Sequence, residues 1–102
     1  MILTIKKKKY TVKYTLRALF IFEQITKKPF EIKSLLDNYI FFYSMILANN
    51  PDNVIEWDDF IDALDNDKNL INQLNNFLRD QEKQNNVLSD EATKDDSGKK
   101  KN

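Results

Sequence analysis

Polar and apolar residues alternate at the start of the chain and then recur at helical spacing. Residues 2–6 (Ile-Leu-Thr-Ile-Lys) are rich in β-branched residues. In residues 10–14, Tyr10, Val12 and Tyr14 alternate with Thr11 and Lys13, the period of a half-buried strand. This pattern predicts an N-terminal β-hairpin with Lys7 and Lys8 at its turn. Lysine is a weak turn former beside Asn-Gly, so one long strand is the alternative reading.

From Leu16 the period becomes helical. Thr15 is placed to N-cap a helix over Leu16 to about Thr26, ended by Lys27-Lys28-Pro29, because the residue before proline avoids the helical region. Its apolar residues spread around most of the circumference, with Arg17 and Gln24 as the clear polar strip, which predicts a largely buried helix. A second helix opens at Ser34-Leu35-Leu36-Asp37, a capping-box-like start, and stops at Asn49-Asn50-Pro51. Leu35, Leu36, Tyr39, Ile40, Phe42, Tyr43, Ile46 and Leu47 form one broad face at about 100° per residue. Phe41 and Met45 lie on the other side, so this helix needs cover from two directions: it is the centre of the domain, or that pair meets another protein. Asn53 and Glu56 repeat the capping pattern before a short helix to Leu64, with Trp57, Phe60, Ile61 and Leu64 inward and Asp58, Asp59 and Asp62 outward. Asp67 opens a last helix with a stripe of Leu70, Ile71, Leu74, Phe77 and Leu78. The expected fold is α+β and mainly α: an N-terminal hairpin followed by about four helices packed as a small bundle, over residues 1–82. Residues 83–102 hold almost no large apolar side chain and read as a disordered polar tail.

The stretch Asp65-Asn66-Asp67-Lys68-Asn69 has oxygen donors at the first, third and fifth positions of a calcium loop. Leu70 then stands where the sharp turn needs glycine, and Asn76 where a bidentate glutamate belongs. A helix end followed by an N-cap at Asp67 explains the residues better.

The chain has no Cys and no His, and its single glycine, Gly98, lies in the tail. Disulfides, thiolate metal sites, histidine bases and glycine-rich phosphate loops are therefore excluded. Ser34 and Ser44 have no histidine to activate them. Asp58, Asp59 and Asp62 sit opposite an apolar stripe, where nothing desolvates them. We therefore expect no catalytic residues, no cofactor and no metal. No apolar run reaches the about 20 residues that a membrane-spanning helix needs, and the N-terminal lysines follow the apolar residues, the reverse of a secretory signal.

Charge sharpens the picture. The net charge is zero, but residues 1–33 hold nine basic and two acidic side chains, and residues 34–82 hold two and ten. A basic front and an acidic back can pair within the molecule, between copies or with a partner. Lys6, Lys7, Lys8, Lys9, Lys13 and Arg17, interleaved with Tyr10 and Tyr14, form a basic patch that can hold phosphates. Lysines on an edge hairpin also simply block edge pairing.

The run from Lys13-Tyr14-Thr15-Leu16-Arg17-Ala18-Leu19-Phe20 through Phe22-Glu23 to Lys27-Lys28-Pro29-Phe30 resembles the opening of small tail assembly chaperones of long-tailed bacteriophages and prophages. Asn49-Asn50-Pro51-Asp52 and the acidic segment Glu56-Trp57-Asp58-Asp59-Phe60-Ile61-Asp62 also fit. The resemblance covers roughly residues 1–80, with Lys27 where the pattern has glycine. It implies a non-enzymatic protein of the bacterial host cytoplasm. Such a protein coats the helical tape-measure protein until tail-tube subunits replace it, and self-association is compatible with that role. On this reading Phe41, Met45, Trp57 and Phe60 are the expected partner contacts, in a helix-in-groove mode. The family often makes a longer frameshifted product, and Gly98-Lys99-Lys100-Lys101 is compatible with a slippery coding sequence. The alternatives are a nucleic-acid-binding regulator using the basic hairpin and a minor virion structural protein.

Overall fold

The computed structural model describes residues 1–81. The expected polar tail and its Gly98-Lys99-Lys100-Lys101 run lie outside the described residues. A hairpin of β1 (Ile2–Ile5) and β2 (Lys8–Thr11) is followed by α1 (Leu16–Thr26), α2 (Leu35–Asn49) and α3 (Trp57–Asn66). A fourth helix, α4, covers residues 68–81. Backbone contacts group Met1–Ile71 into one compact unit, and a second unit begins at Asn72. The expected α+β fold, a hairpin followed by four helices, is present.

The strands pair antiparallel, with Leu3 opposite Tyr10 and Ile5 opposite Lys8. The turn is Lys6-Lys7, one residue earlier than expected, and both residues take positive φ (51° and 68°). A two-residue type I′ turn requires this of both central positions because it matches the strand twist. Each lysine bears a left-handed conformation that costs about 1–2 kcal/mol without glycine. Leu3, Ile5, Tyr10 and Val12 are buried, and Ile2, Thr4, Lys8 and Lys9 are exposed.

α1 begins as expected. The Thr15 hydroxyl accepts from the Ala18 N–H at 3.1 Å. It ends at Lys27, whose φ of 61° is the left-handed conformation, with its N–H donating to Glu23 O at 2.8 Å. The backbone thus makes the glycine-type helix end with a lysine. The expectation that α1 is largely buried is corrected: only Ala18 and Phe22 are buried, whereas Leu16, Phe20 and Ile25 are exposed.

α2 is the centre of the first unit. Ser34 Oγ accepts from Asp37 N–H at 3.1 Å, as the capping pattern predicts. Instead of reaching back to the Ser34 N–H, the Asp37 carboxylate accepts from the Lys33 N–H at 3.0 Å and from Lys28 Nζ at 3.1 Å. Both sides of α2 are covered along its middle. On one side Phe41 meets Tyr14, Phe22 and Phe30 edge-to-face, at ring separations of 5.7, 6.4 and 5.0 Å. On the other, Tyr43 meets Trp57 at 5.2 Å and Phe60 at 5.6 Å. Its first turn departs from the expected broad core face, since Leu35 and Leu36 are exposed.

α3 starts at Trp57, later than the Asn53 cap predicts, and Glu56 makes no side-chain cap bond. Residues 54–56 stay outside the helix, with Ile55 buried and its carbonyl accepting from the Tyr43 hydroxyl at 2.7 Å. Burying that extended segment wins over the local capping pattern. Phe60 and Leu64 face inward, and Trp57 and Ile61 are half-buried. Asp67 Oδ1 accepts from the Asn69 N–H at 3.0 Å, so the suspected calcium loop is an N-cap for α4. No helix of the described residues is long and apolar enough to cross a membrane.

Candidate interaction surface

The basic cluster is divided by the hairpin. Lys6 turns toward α3 and donates to Asp59 Oδ1 at 2.9 Å, an exposed pair that joins the basic front to the acidic back. Asp59 holds the Lys6 ammonium above its ordinary range, first through that hydrogen bond and then through charge. The register places Lys8 on the face of Ile5 and Lys9 on the face of Thr4, so the two neighbours point to opposite sides of the sheet. Lys7, Lys13 and Arg17 are exposed. Tyr10 is buried, whereas Tyr14 packs against Phe41 and stays 40% exposed. A second link between front and back is the Lys28–Asp37 pair. The Lys33 N–H, then Lys28, hold the Asp37 carboxyl below the ordinary carboxylate range. Burial pushes the Tyr43 hydroxyl up, with Glu56 adding to the shift.

The expected partner contacts are core residues. Phe41, Met45 and Phe60 are at most 1% exposed, so they offer no surface to a partner in this conformation. Trp57 is half-buried, with Tyr43 and Phe60 against it. The apolar surface lies elsewhere. Leu16 (64% exposed) and Phe20 (54%) stand one helical turn apart on the outer side of α1. With Arg17, Ile21 and Gln24 they line a shallow trough of about 540 Å³. A second hollow, of about 260 Å³, lies among Leu35, Tyr39, Ile61, Leu64, Asp65 and Ile71, where α2 and α3 meet the start of α4. Leu35, one of its walls, is 74% exposed.

Sequence reasoning missed these residues because it assigned Leu16, Phe20, Leu35 and Leu36 to the interior. A usable signal was present: α1 carries apolar residues all round, more than one packed face needs. Asn50 was read as a helix stop only. Its amide takes both backbone groups of Thr11, accepting from the N–H at 2.9 Å and donating to the carbonyl at 2.8 Å. It occupies the edge of β2 as a neighbouring strand would.

Several of the side chains weighed for catalysis have structural partners. Ser34 is a helix cap, and buried Ser44 donates to Ile40 O at 2.7 Å. Asp59 is committed to Lys6. Among the described residues no three His, Cys, Asp or Glu side chains come close enough to hold a metal. No protein-family model matches the chain, and comparison with curated proteins and with solved structures gives no significant match.

Proposed function

We propose that this protein works without catalysis, as a tail assembly chaperone that covers a long helical tape-measure protein until tail-tube subunits take its place. Two things support the reading. One is the sequence resemblance over roughly residues 1–80, whose departure at Lys27 keeps the left-handed conformation that glycine would take. The other, which carries it, is the apolar side of α1 that the first unit leaves uncovered, Leu16 and Phe20 above all. Two large side chains one turn apart, flanked by Arg17 and Gln24, match the spacing by which an amphipathic helix engages a partner helix. The contact residues proposed on this basis are Leu16 and Phe20, in place of Phe41, Met45 and Phe60.

Co-expression with a tape-measure protein, a long helical chain, tests the reading. The expected result is a soluble complex that Phe20→Ser, together with Leu16→Ser, disrupts while the domain stays folded. A helical protein that remains insoluble in the presence of the wild-type chain overturns it. Binding to DNA or RNA that falls steeply with salt, and that Lys7→Glu with Lys9→Glu abolishes, would move the function to the regulator reading. Retention in purified particles would move it to a virion part.

A further inference from the structure

The two edges of the hairpin are unlike. Along an antiparallel pair, residues alternate between exchanging both hydrogen bonds across the pair and pointing both groups outward. Met1 and Val12 exchange both: the Met1 amine donates to Val12 O at 3.0 Å, and the Val12 N–H donates to Met1 O at 2.8 Å. The register then makes Ile2–Thr11 and Thr4–Lys9 the outward pairs. Thr11 bears this out, because its N–H and carbonyl both meet the Asn50 amide. The edge of β2 is thus occupied at Thr11 and lined by the charged Lys8 and Lys9. Among the described residues nothing is hydrogen-bonded to the outward N–H and carbonyl of Ile2 and Thr4. Both residues are exposed, and Ile2-Leu3-Thr4-Ile5 contains no charge and no proline, the usual devices that guard an edge.

We propose that β1 pairs with β1 of a second copy, antiparallel about a dyad at Leu3, to form a four-stranded sheet. The register is self-complementary. Ile2 faces Thr4 of the second copy, and Thr4 faces its Ile2, so all the outward groups of the two residues find partners in four backbone hydrogen bonds. Leu3 is fully buried within its own copy, so the contact across the dyad is carried by the backbone. Antiparallel pairing puts the two lysine turns at opposite ends of the sheet, whereas a parallel arrangement would stack like charges. With the other edge occupied by Asn50 at Thr11 and lined by the charged Lys8 and Lys9, pairing closes at two copies and does not propagate. A contact of four residues per copy lies well below the about 1,200 Å² of a standard interface, so the dimer is weak and reversible. The inference uses a different surface from the chaperone reading and does not rest on it.

Sedimentation velocity of the full chain without an N-terminal tag, from about 10 µM to about 1 mM, tests it in the range where a small interface is half-formed. The sedimentation coefficient should rise from monomer toward dimer. Thr4→Pro removes an outward N–H that the monomer does not use, and Thr4→Lys sets a charge against Ile2 of the second copy. Each should weaken dimerisation at least about tenfold, with far-UV circular dichroism and Tm close to wild type. If Thr4→Pro fails to fold, Thr4→Lys alone decides. A wild-type chain that stays monomeric at about 1 mM overturns the proposal. So does a dimer that Thr4→Lys leaves intact, or one that Phe20→Ser abolishes instead.

Discussion

α1 and α2 have the same kind of sequence and opposite fates. Both are apolar on more than one side, and both begin at a hydroxyl cap, Thr15 or Ser34. α2 is covered on both sides along its middle, by the Phe41 cluster and the Tyr43 cluster. α1 is covered on one, through Ala18 and Phe22. An all-round apolar pattern therefore says that a helix wants cover, not that its own domain supplies it. On the uncovered side of α1 an external partner would gain, because burying Leu16 and Phe20 would recover hydrophobic free energy that folding leaves unused.

The largest test of this contrast is at Phe41. Truncation to alanine removes the ring at the centre of the Tyr14, Phe22 and Phe30 contacts and leaves a cavity between α1 and α2. We expect a loss of about 3–5 kcal/mol in urea unfolding. A small loss would mean that α2 is not the centre of the unit.

Asn50→Ala should follow in size. It strips both backbone groups of Thr11 and the bond from Asn50 Nδ2 to Ile46 O at 2.7 Å. Leaving two part-buried groups unsatisfied costs about 1–3 kcal/mol. Amide exchange at Thr11 checks the mechanism, since its protection should fall before that of α1.

Acid probes the joint between the two helices. The Asp37 carboxyl is lowered in the folded protein, chiefly by the Lys33 N–H and then by Lys28. The unfolded chain binds the proton more readily, so stability from this group is fully present above the ordinary aspartate value of about 3.9. It is lost as the pH falls through the lower folded value. Asp37→Asn should flatten the acid limb of the stability profile below about pH 4 and leave the limb above about pH 5 parallel to wild type.

Lys27→Gly should raise stability by about 1 kcal/mol, because glycine takes the left-handed conformation without the Cβ penalty. Thermal unfolding should show a higher Tm. A fall would mean that Lys27 gains more from contacts than its backbone loses.

How far the sequence foretold this structure depends on where each decision is made. The bounds of α1 and α2 were legible because caps and proline act within a few residues: Thr15, Ser34, Pro29 and Pro51 mark them locally. The turn at Lys6-Lys7 was legible only to within one residue, since lysine carries no preference for positive φ and the pairing of Leu3 with Tyr10 sets it. The start of α3 was missed because it is decided at a distance, by the Tyr43 hydroxyl on the Ile55 carbonyl. The candidate surface was the least legible part. Periodicity groups residues by side, but only the arrangement of neighbours says which side is left bare.

A substitution on the outer side of α1 is the most informative about function. Phe20→Ser removes a side chain of the same type as Phe41, but from a position 54% exposed in the folded chain. It loses about half the buried area that Phe41 loses and leaves no enclosed cavity, so the change in unfolding free energy should be about 1–2 kcal/mol, clearly below that at Phe41. Partner binding should nevertheless fall at least about tenfold, as truncating an aromatic anchor in an interface does. The two numbers belong together. A large stability loss would place Phe20 in the core and erase the distinction between α1 and α2. A small loss with binding unchanged would leave α1 half-covered but would move the docking surface toward the hollow beside Leu35. Only a small loss in stability joined to a large loss in binding assigns the outer side of α1 to a partner.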